Sequence, residues 1–201
     1  MNIETLIQVS LYFLALINPA SKVLILSSAE PPLHRRDLFR ISAKATIAAL
    51  VILLFLSTMG HFVLTMIFRV NIYALQIAGG IVLFIIGLNA VQKGRFFELD
   101  INGPAADISI VPLAAPMIAG PGTITAAISL SSTQGMTLTI ISLTLAVMIN
   151  FLVMLSSSWI GRFFERFHIF GPLIRITGLI VAAVAVQMIL TGIAQWVNTI
   201  M

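Results

Sequence analysis

The sequence contains no cysteine and very little charge. Without cysteine there are no disulfides and no thiolate metal sites, and the three histidines lie at scattered positions without the spacing of metal ligands. Charged residues make up only 9% of the 201 residues, and 59% are hydrophobic. Soluble domains contain about 25% charged residues, and a soluble domain of this length could not bury so much apolar surface. The composition therefore predicts an integral membrane protein.

Six apolar stretches are long enough to form transmembrane helices. Each helix needs roughly 20 apolar residues, and the stretches cover about residues 5–29, 41–63, 72–92, 110–133, 137–160 and 173–197. The first stretch has no basic residue before Lys22 and carries Glu4 near its start, so we interpret it as a permanent span and not as a cleaved secretion signal. The predicted fold class is an all-α membrane protein with six transmembrane helices.

Basic residues are concentrated in alternate connections between the predicted spans. Four follow span one, two follow span three and three lie between spans five and six, whereas only Arg69 follows span two and none follows span four. Because cytoplasmic loops are enriched in Lys and Arg, we expect these loops in the cytoplasm and both termini outside. The net charge of +4 is then explained by basic residues in cytoplasmic loops beside the spans. The expected partner is therefore the lipid bilayer, not nucleic acid.

The two halves of the chain share a pattern of proline and glycine. Three pairs recur at nearly constant separation: Pro19 and Pro121, 102 residues apart; Gly60 and Gly161, 101 apart; and Gly79 and Gly178, 99 apart. Since each half holds three spans, an odd number, the second half must enter the membrane upside down relative to the first. The sequence therefore predicts an inverted repeat, an arrangement typical of secondary transporters. Its parts are a first three-helix repeat at 1–92, a cytoplasmic linker at 93–109 and a second, inverted three-helix repeat at 110–201.

Proline lies at matching places inside spans one and four. Pro19 and Pro121 each remove one backbone N–H donor and displace the carbonyl four residues earlier. We therefore expect both spans to be interrupted, with a simple kink as the alternative. A second helical segment would start after each break, with Ser21 and Thr123 as predicted N-caps. The N-terminus of a helix favours an anionic group, so the breaks predict a site for one.

The residues around these breaks predict a binding site for a small zwitterion. Most of them are small, and we expect them to leave little room for a large side chain of the solute. Lys22 lies well inside the first span, where its charge is costly unless the side chain snorkels to the headgroups. We expect the two helix N-termini to hold a carboxylate, and the carbonyls near Ala15 and Met117, with Asn18, to receive an ammonium group. No catalytic residue, metal site or cofactor is predicted. The candidate substrate-binding residues are Asn18, Pro19, Ala20, Ser21, Lys22, Gly120, Pro121, Gly122 and Thr123.

Several motifs resemble those of one family of membrane proteins. They are Asn18-Pro19, Ile77-Ala78-Gly79-Gly80, Val111-Pro112-Leu113-Ala114-Ala115-Pro116, Ala119-Gly120-Pro121-Gly122-Thr123-Ile124 and Arg175-Ile176-Thr177-Gly178. Over nearly its full length the chain resembles the MarC family of inner-membrane proteins, which includes archaeal transporters of small neutral amino acids. This resemblance implies the cell inner membrane as the location, so the termini expected outside would be periplasmic. The resemblance implies six spans in inverted three-helix repeats and cation-coupled transport of glycine or alanine, with H+ or Na+ as the coupling ion. Some members have Asp where this chain has Asn18, which argues against coupling by a carboxylate at that position.

Other functions compete with this interpretation. One is export of a different small solute by a carrier of the lysine-exporter type. An intramembrane enzyme would need a nucleophile, metal ligands or an acid–base pair in a cavity. The lack of cysteine and of acidic residues deep in the spans argues against that, so we do not expect an enzyme. A structural or sensory membrane protein would not need paired breaks. The sequence leaves the direction of transport and the oligomeric state open.

Overall fold

The computed structural model describes residues 2–27, 33–94, 117–166 and 169–200, and within these ranges the secondary structure is helical, without a strand. In chain order the α-helices of these ranges are α1 (Ile3–Ile17), α2 (Pro19–Ser27), α3 (Arg35–Phe62), α4 (Ile72–Lys93), α5 (Pro121–Thr133), α6 (Met136–Leu155), α7 (Ser157–Arg166) and α8 (Phe170–Ile200). A π-helical turn, Val63–Ile67, extends α3. The all-α prediction is therefore confirmed over the described residues.

Five helical segments are long and apolar enough to cross a membrane. They are Ile3–Ser27, Arg35–Ile67, Ile72–Lys93, Met136–Leu155 and Phe170–Ile200. Large apolar side chains such as Leu11, Val51 and Leu152 are exposed along them, as expected of surfaces that contact lipid. The predicted fourth span is described only from residue 117 onward, where α5 has 13 residues. Its first seven residues, 110–116, and most of the predicted linker lie outside the described residues, so the prediction of six spans stays a prediction.

Helices α4 and α8, the predicted spans three and six, form the closest pair. Gly192 packs against Tyr73, and Gly178 packs against Ala90, so the two helices run antiparallel. At Gly87 a Cβ atom would lie 2.8 Å from a backbone nitrogen of α8. Such an approach of backbone to backbone requires glycine, and small residues serve this purpose widely between membrane helices. The glycines of both spans thus allow this contact.

The remaining helices surround a core that contains both predicted breaks. Helix α1 packs on α6, α3 packs on both α5 and α6, and α2 packs on α7. Phe13 and Ile17 of α1 are fully buried there, together with Leu53 of α3 and Leu143 of α6. The end of α1 and the start of α5 therefore lie inside the protein, away from the lipid-facing surface.

Candidate functional site

The first span is interrupted at Asn18. This residue adopts the left-handed conformation, with φ 53° and ψ 76°, and its N–H donates to the Leu14 carbonyl at 2.9 Å. Asparagine is one of the few residues with a side chain that visit this region routinely. Helix α1 therefore ends at Ile17, and α2 begins again at Pro19, which needs no N–H partner at a first helical position. The last carbonyls of α1 lack the N–H partners of a continuous helix.

The second break lies at Gly120. Its backbone is extended, with φ −81° and ψ 171°, and α5 begins at the next residue, Pro121. The residues from Met117 to Ala119 are buried, and their backbone is not α-helical. Since proline at position 121 has no N–H to offer, the carbonyl of Met117 is free to accept from another donor. The sequence predicted this release.

The predicted N-caps are wrong. Ser21 and Thr123 are each the third residue of their helix, because both helices begin at the proline itself. The N-cap of α5 is Gly120. The Ser21 hydroxyl donates to the Asn18 carbonyl at 2.8 Å, which ties α2 to the residue that breaks the span. The reason for the error is that proline is accepted as the first helical residue, so each helix begins three residues earlier than it would after a hydroxyl N-cap.

The two breaks line one small cavity of about 30 Å³. A single water needs roughly 10–15 Å³ by the same measure, so the cavity has room for water and is too small for an amino acid. Pro19 and Ala20 are not among its lining residues. The other seven candidate residues line it: Asn18, Ser21, Lys22, Gly120, Pro121, Gly122 and Thr123. Residues about 100 positions apart in the chain therefore meet, as the sequence predicted.

Lys22 is directed into the protein and is only 1% exposed. Its Nζ donates to the Met117 carbonyl at 2.7 Å, to the Asn18 carbonyl at 3.4 Å and to the carbonyl of Ile17. An ammonium group has three N–H donors, so the three acceptors match its capacity. The snorkelling alternative is therefore wrong. The Met117 carbonyl, expected to receive a solute ammonium, instead receives the ammonium of the chain itself.

The side-chain amide of Asn18 has a buried donor beside the same cavity. Asn18 is 7% exposed, and its Nδ2 has no hydrogen-bond partner among the described residues. Buried polar atoms are nearly always paired in folded proteins. A donor of this kind at a cavity can therefore bind an oxygen acceptor of a ligand, such as a carboxylate.

A second cavity, of about 400 Å³, opens where α1 and α4 begin and where α5 and α8 end. We name it the vestibule. Its polar side chains are uncharged: Thr5, Gln8, Tyr12, Gln76, Ser129, Thr133, Gln134, Gln187, Thr191 and Gln195. Along α1 the vestibule reaches Tyr12 and the small cavity reaches Leu16, so about one helical turn separates the two.

Sequence reasoning missed the vestibule, although part of its signal was present. Gln187, Thr191 and Gln195 recur at intervals of four residues and so lie on one face of α8. Gln76 is buried, and its Nε2 donates to the Ser129 hydroxyl of α5. Within the part of the chain that the structure describes, no three His, Asp or Glu side chains lie close enough together to hold a metal ion.

Known proteins resemble this chain over nearly its whole length. Residues 3–197 match the family described as MarC family integral membrane protein. The UPF0056 membrane protein MJ1677 of Methanocaldococcus jannaschii is 35% identical over 190 residues, with 89% of this chain and 91% of that protein covered. The UPF0056 membrane protein YvbG of Bacillus subtilis is 31% identical over 199 residues, with 94% and 93% covered. The UPF0056 membrane protein PH0214 of Pyrococcus horikoshii is 31% identical, with 94% of both chains covered. No solved structure matches significantly.

Proposed function

Because the chain belongs to the MarC family of integral membrane proteins, we propose that it is a secondary transporter of small neutral amino acids such as glycine and alanine. It would work by alternating access across the inner membrane. One observation carries the proposal: two interrupted spans, far apart in the chain, meet at a single small cavity whose lining includes Asn18, Lys22 and Thr123. Interrupted helices at membrane depth are tolerated where they line a cavity, and they mark the substrate sites of many carriers.

The chemistry of the cavity favours a carboxylate as the group that is recognised. The Asn18 amide offers a donor without a partner in the described structure, and the first turn of α5 presents N–H groups that have no acceptor within the helix. Lys22 adds a positive charge, and there is no Asp or Glu among the described residues that line the cavity. Since Lys22 already occupies the released carbonyls, the ammonium of the solute would point toward the vestibule, where amide and hydroxyl oxygens are abundant.

The size of the cavity supports a small solute and a carrier cycle. At about 30 Å³ it cannot hold an amino acid without opening. Four of its lining residues are Gly, Ser or Thr, whereas six are bulky and apolar: Leu16, Ile17, Leu83, Ile86, Met117 and Val181. These bulky side chains would limit the size of the solute side chain. The uncharged vestibule suits a solute with no net charge, because it imposes neither a strong attraction nor a strong repulsion. We propose that the vestibule is the outer entrance and that both termini lie outside.

The packing of the two halves supports an inverted repeat of 1–92 and 110–201. Gly60 of α3 packs against Ile128 of α5, and Gly161 of α7 packs against Ser27 of α2. Gly161 lies 101 residues after Gly60, and Ile128 lies 101 residues after Ser27. The same contact is therefore made twice, with the two halves exchanged. Antiparallel packing of α4 on α8 has the same symmetry. Carriers built in this way rock one repeat against the other around a central site.

Flux measurements with purified protein test this proposal. Liposomes containing the protein would be supplied with labelled glycine, alanine, leucine or lysine, in the presence or absence of H+ and Na+ gradients. We expect flux of glycine and alanine that is much faster than that of leucine and lysine. Preferential flux of lysine would support a carrier of the lysine-exporter type instead. No flux of glycine or alanine under any gradient would refute the proposed function and leave the fold unaffected.

A further inference from the structure

We propose that the carbonyl oxygens at the two breaks form a cation site, and that Lys22 fills this site from within the chain. The tethered ammonium would then stand where a carrier of this kind could bind a diffusible coupling ion. The proposal about transport rests on the proposed function, whereas the cation site itself is a property of the folded protein and can be tested separately.

Three backbone carbonyl oxygens contribute to the proposed site. Ile17 and Asn18 end α1, and Met117 lies just before the second break, so the oxygens come from both halves of the chain. Carbonyls at the C-terminal end of a helix carry partial negative charge and favour a cation. Carbonyls of interrupted helices coordinate Na+ or H+ in secondary transporters. Here a single buried nitrogen contacts all three oxygens.

The balance of charge explains how a lysine can be buried at this place. Among the described residues that line the cavity none is acidic, so the ammonium is balanced by carbonyl dipoles and not by a carboxylate. The second half has no equivalent cation, because the residue 102 positions after Lys22 is Ile124. One ammonium therefore serves both breaks and joins α2 to the segment that contains Met117.

This arrangement has a consequence for ion coupling. A Na+ ion would need the same oxygens that Lys22 already uses, and it could bind only if the ammonium moved away. We therefore expect Na+ to be unnecessary for binding of the solute. The fixed positive charge would lie close to the carboxylate of a solute bound at Asn18 and the start of α5.

Chemical rescue tests the cation site without any transport assay. Lys22→Ala removes the ammonium and its stem, and we expect a lower Tm for the purified protein. Propylammonium carries the same charged group on a short stem, so it should restore at least half of the lost Tm, whereas propanol should not. Lys44→Ala is the matched control, because Lys44 lies exposed on α3. Neither the control nor the unmodified protein should respond to propylammonium. Equal responses of all three proteins, or no rescue of Lys22→Ala, would overturn the cation site.

A second measurement uses the unmodified protein, so it does not depend on the folding of a variant. Binding of labelled glycine would be compared in Na+ and in choline at constant ionic strength. Equal affinity supports a tethered cation, and a requirement for Na+ would overturn the proposal. If no glycine or alanine binds in either salt, the proposed function fails. The rescue of the Tm by propylammonium then still decides whether the carbonyls form a cation site.

Discussion

Replacement of Asn18 separates its two roles, which are to break the first span and to offer a donor to the solute. Asn18→Gly keeps the left-handed backbone, since glycine adopts φ 53° without strain, and removes the side-chain amide. We expect a protein that folds with a Tm close to that of the parent and binds glycine more weakly. Asn18→Ala removes the same amide, and it also forces a residue with a Cβ atom into the left-handed region.

The expected loss of affinity follows from the buried donor. The Asn18 Nδ2 atom is buried without a partner in the described structure, so a carboxylate placed there would form a hydrogen bond between a neutral donor and a charged acceptor. Such bonds contribute about 1.5–3 kcal/mol, which corresponds to roughly 10- to 150-fold in affinity. The strain of the left-handed backbone costs about 1–2 kcal/mol in Asn18→Ala. The alanine variant should therefore lose stability in addition to affinity.

Equilibrium binding of labelled glycine and thermal unfolding of the purified protein would be measured side by side. Asn71→Gly is the control, because Asn71 is an exposed asparagine that precedes α4 and makes no capping hydrogen bond with its side chain. Its affinity for glycine should be unchanged. If Asn18→Gly binds glycine as tightly as the parent, the amide does not contact the solute, and the placement of the carboxylate at this break is refuted.

Two further predictions concern the packing and the orientation of the protein. In Gly87→Ala the new Cβ would lie 2.8 Å from the Ala182 nitrogen, so α4 and α8 must move apart. Overpacking costs about 1–3 kcal/mol, and each kcal/mol lowers the Tm by roughly 2–4 °C in a chain of this size. Gly171→Ala meets nothing within 4 Å and should leave the Tm unchanged; equal Tm values for the two variants would contradict the close contact. Because the chain has no cysteine, Thr191→Cys in the vestibule provides a single thiol. An impermeant maleimide should label it in intact cells and should label Arg36→Cys only after permeabilisation; the reverse pattern would invert the proposed orientation.

Much of the helical framework could be predicted because its causes are local. Apolar stretches of about 20 residues must satisfy their own backbone hydrogen bonds in lipid, so they form helices wherever they occur. The breaks were predictable for the same reason, since Pro19 and Pro121 cannot donate the N–H that a continuous helix requires. The exact starting residues were not. Whether a helix begins at a proline or at a hydroxyl residue such as Ser21 depends on small differences in backbone conformation.

The composition by itself determined that this chain lies in a membrane, and the placement of proline and glycine determined where two spans break. Only the tertiary structure decided what these breaks contact. The carbonyl of Met117 was predictably free, but its donor is Lys22, which lies 95 residues away in the chain. The vestibule likewise joins residues from four helices whose spacing in the sequence is unrelated. Backbone sterics act between neighbours in the chain, whereas the partner of a buried charge is set by which helices pack together.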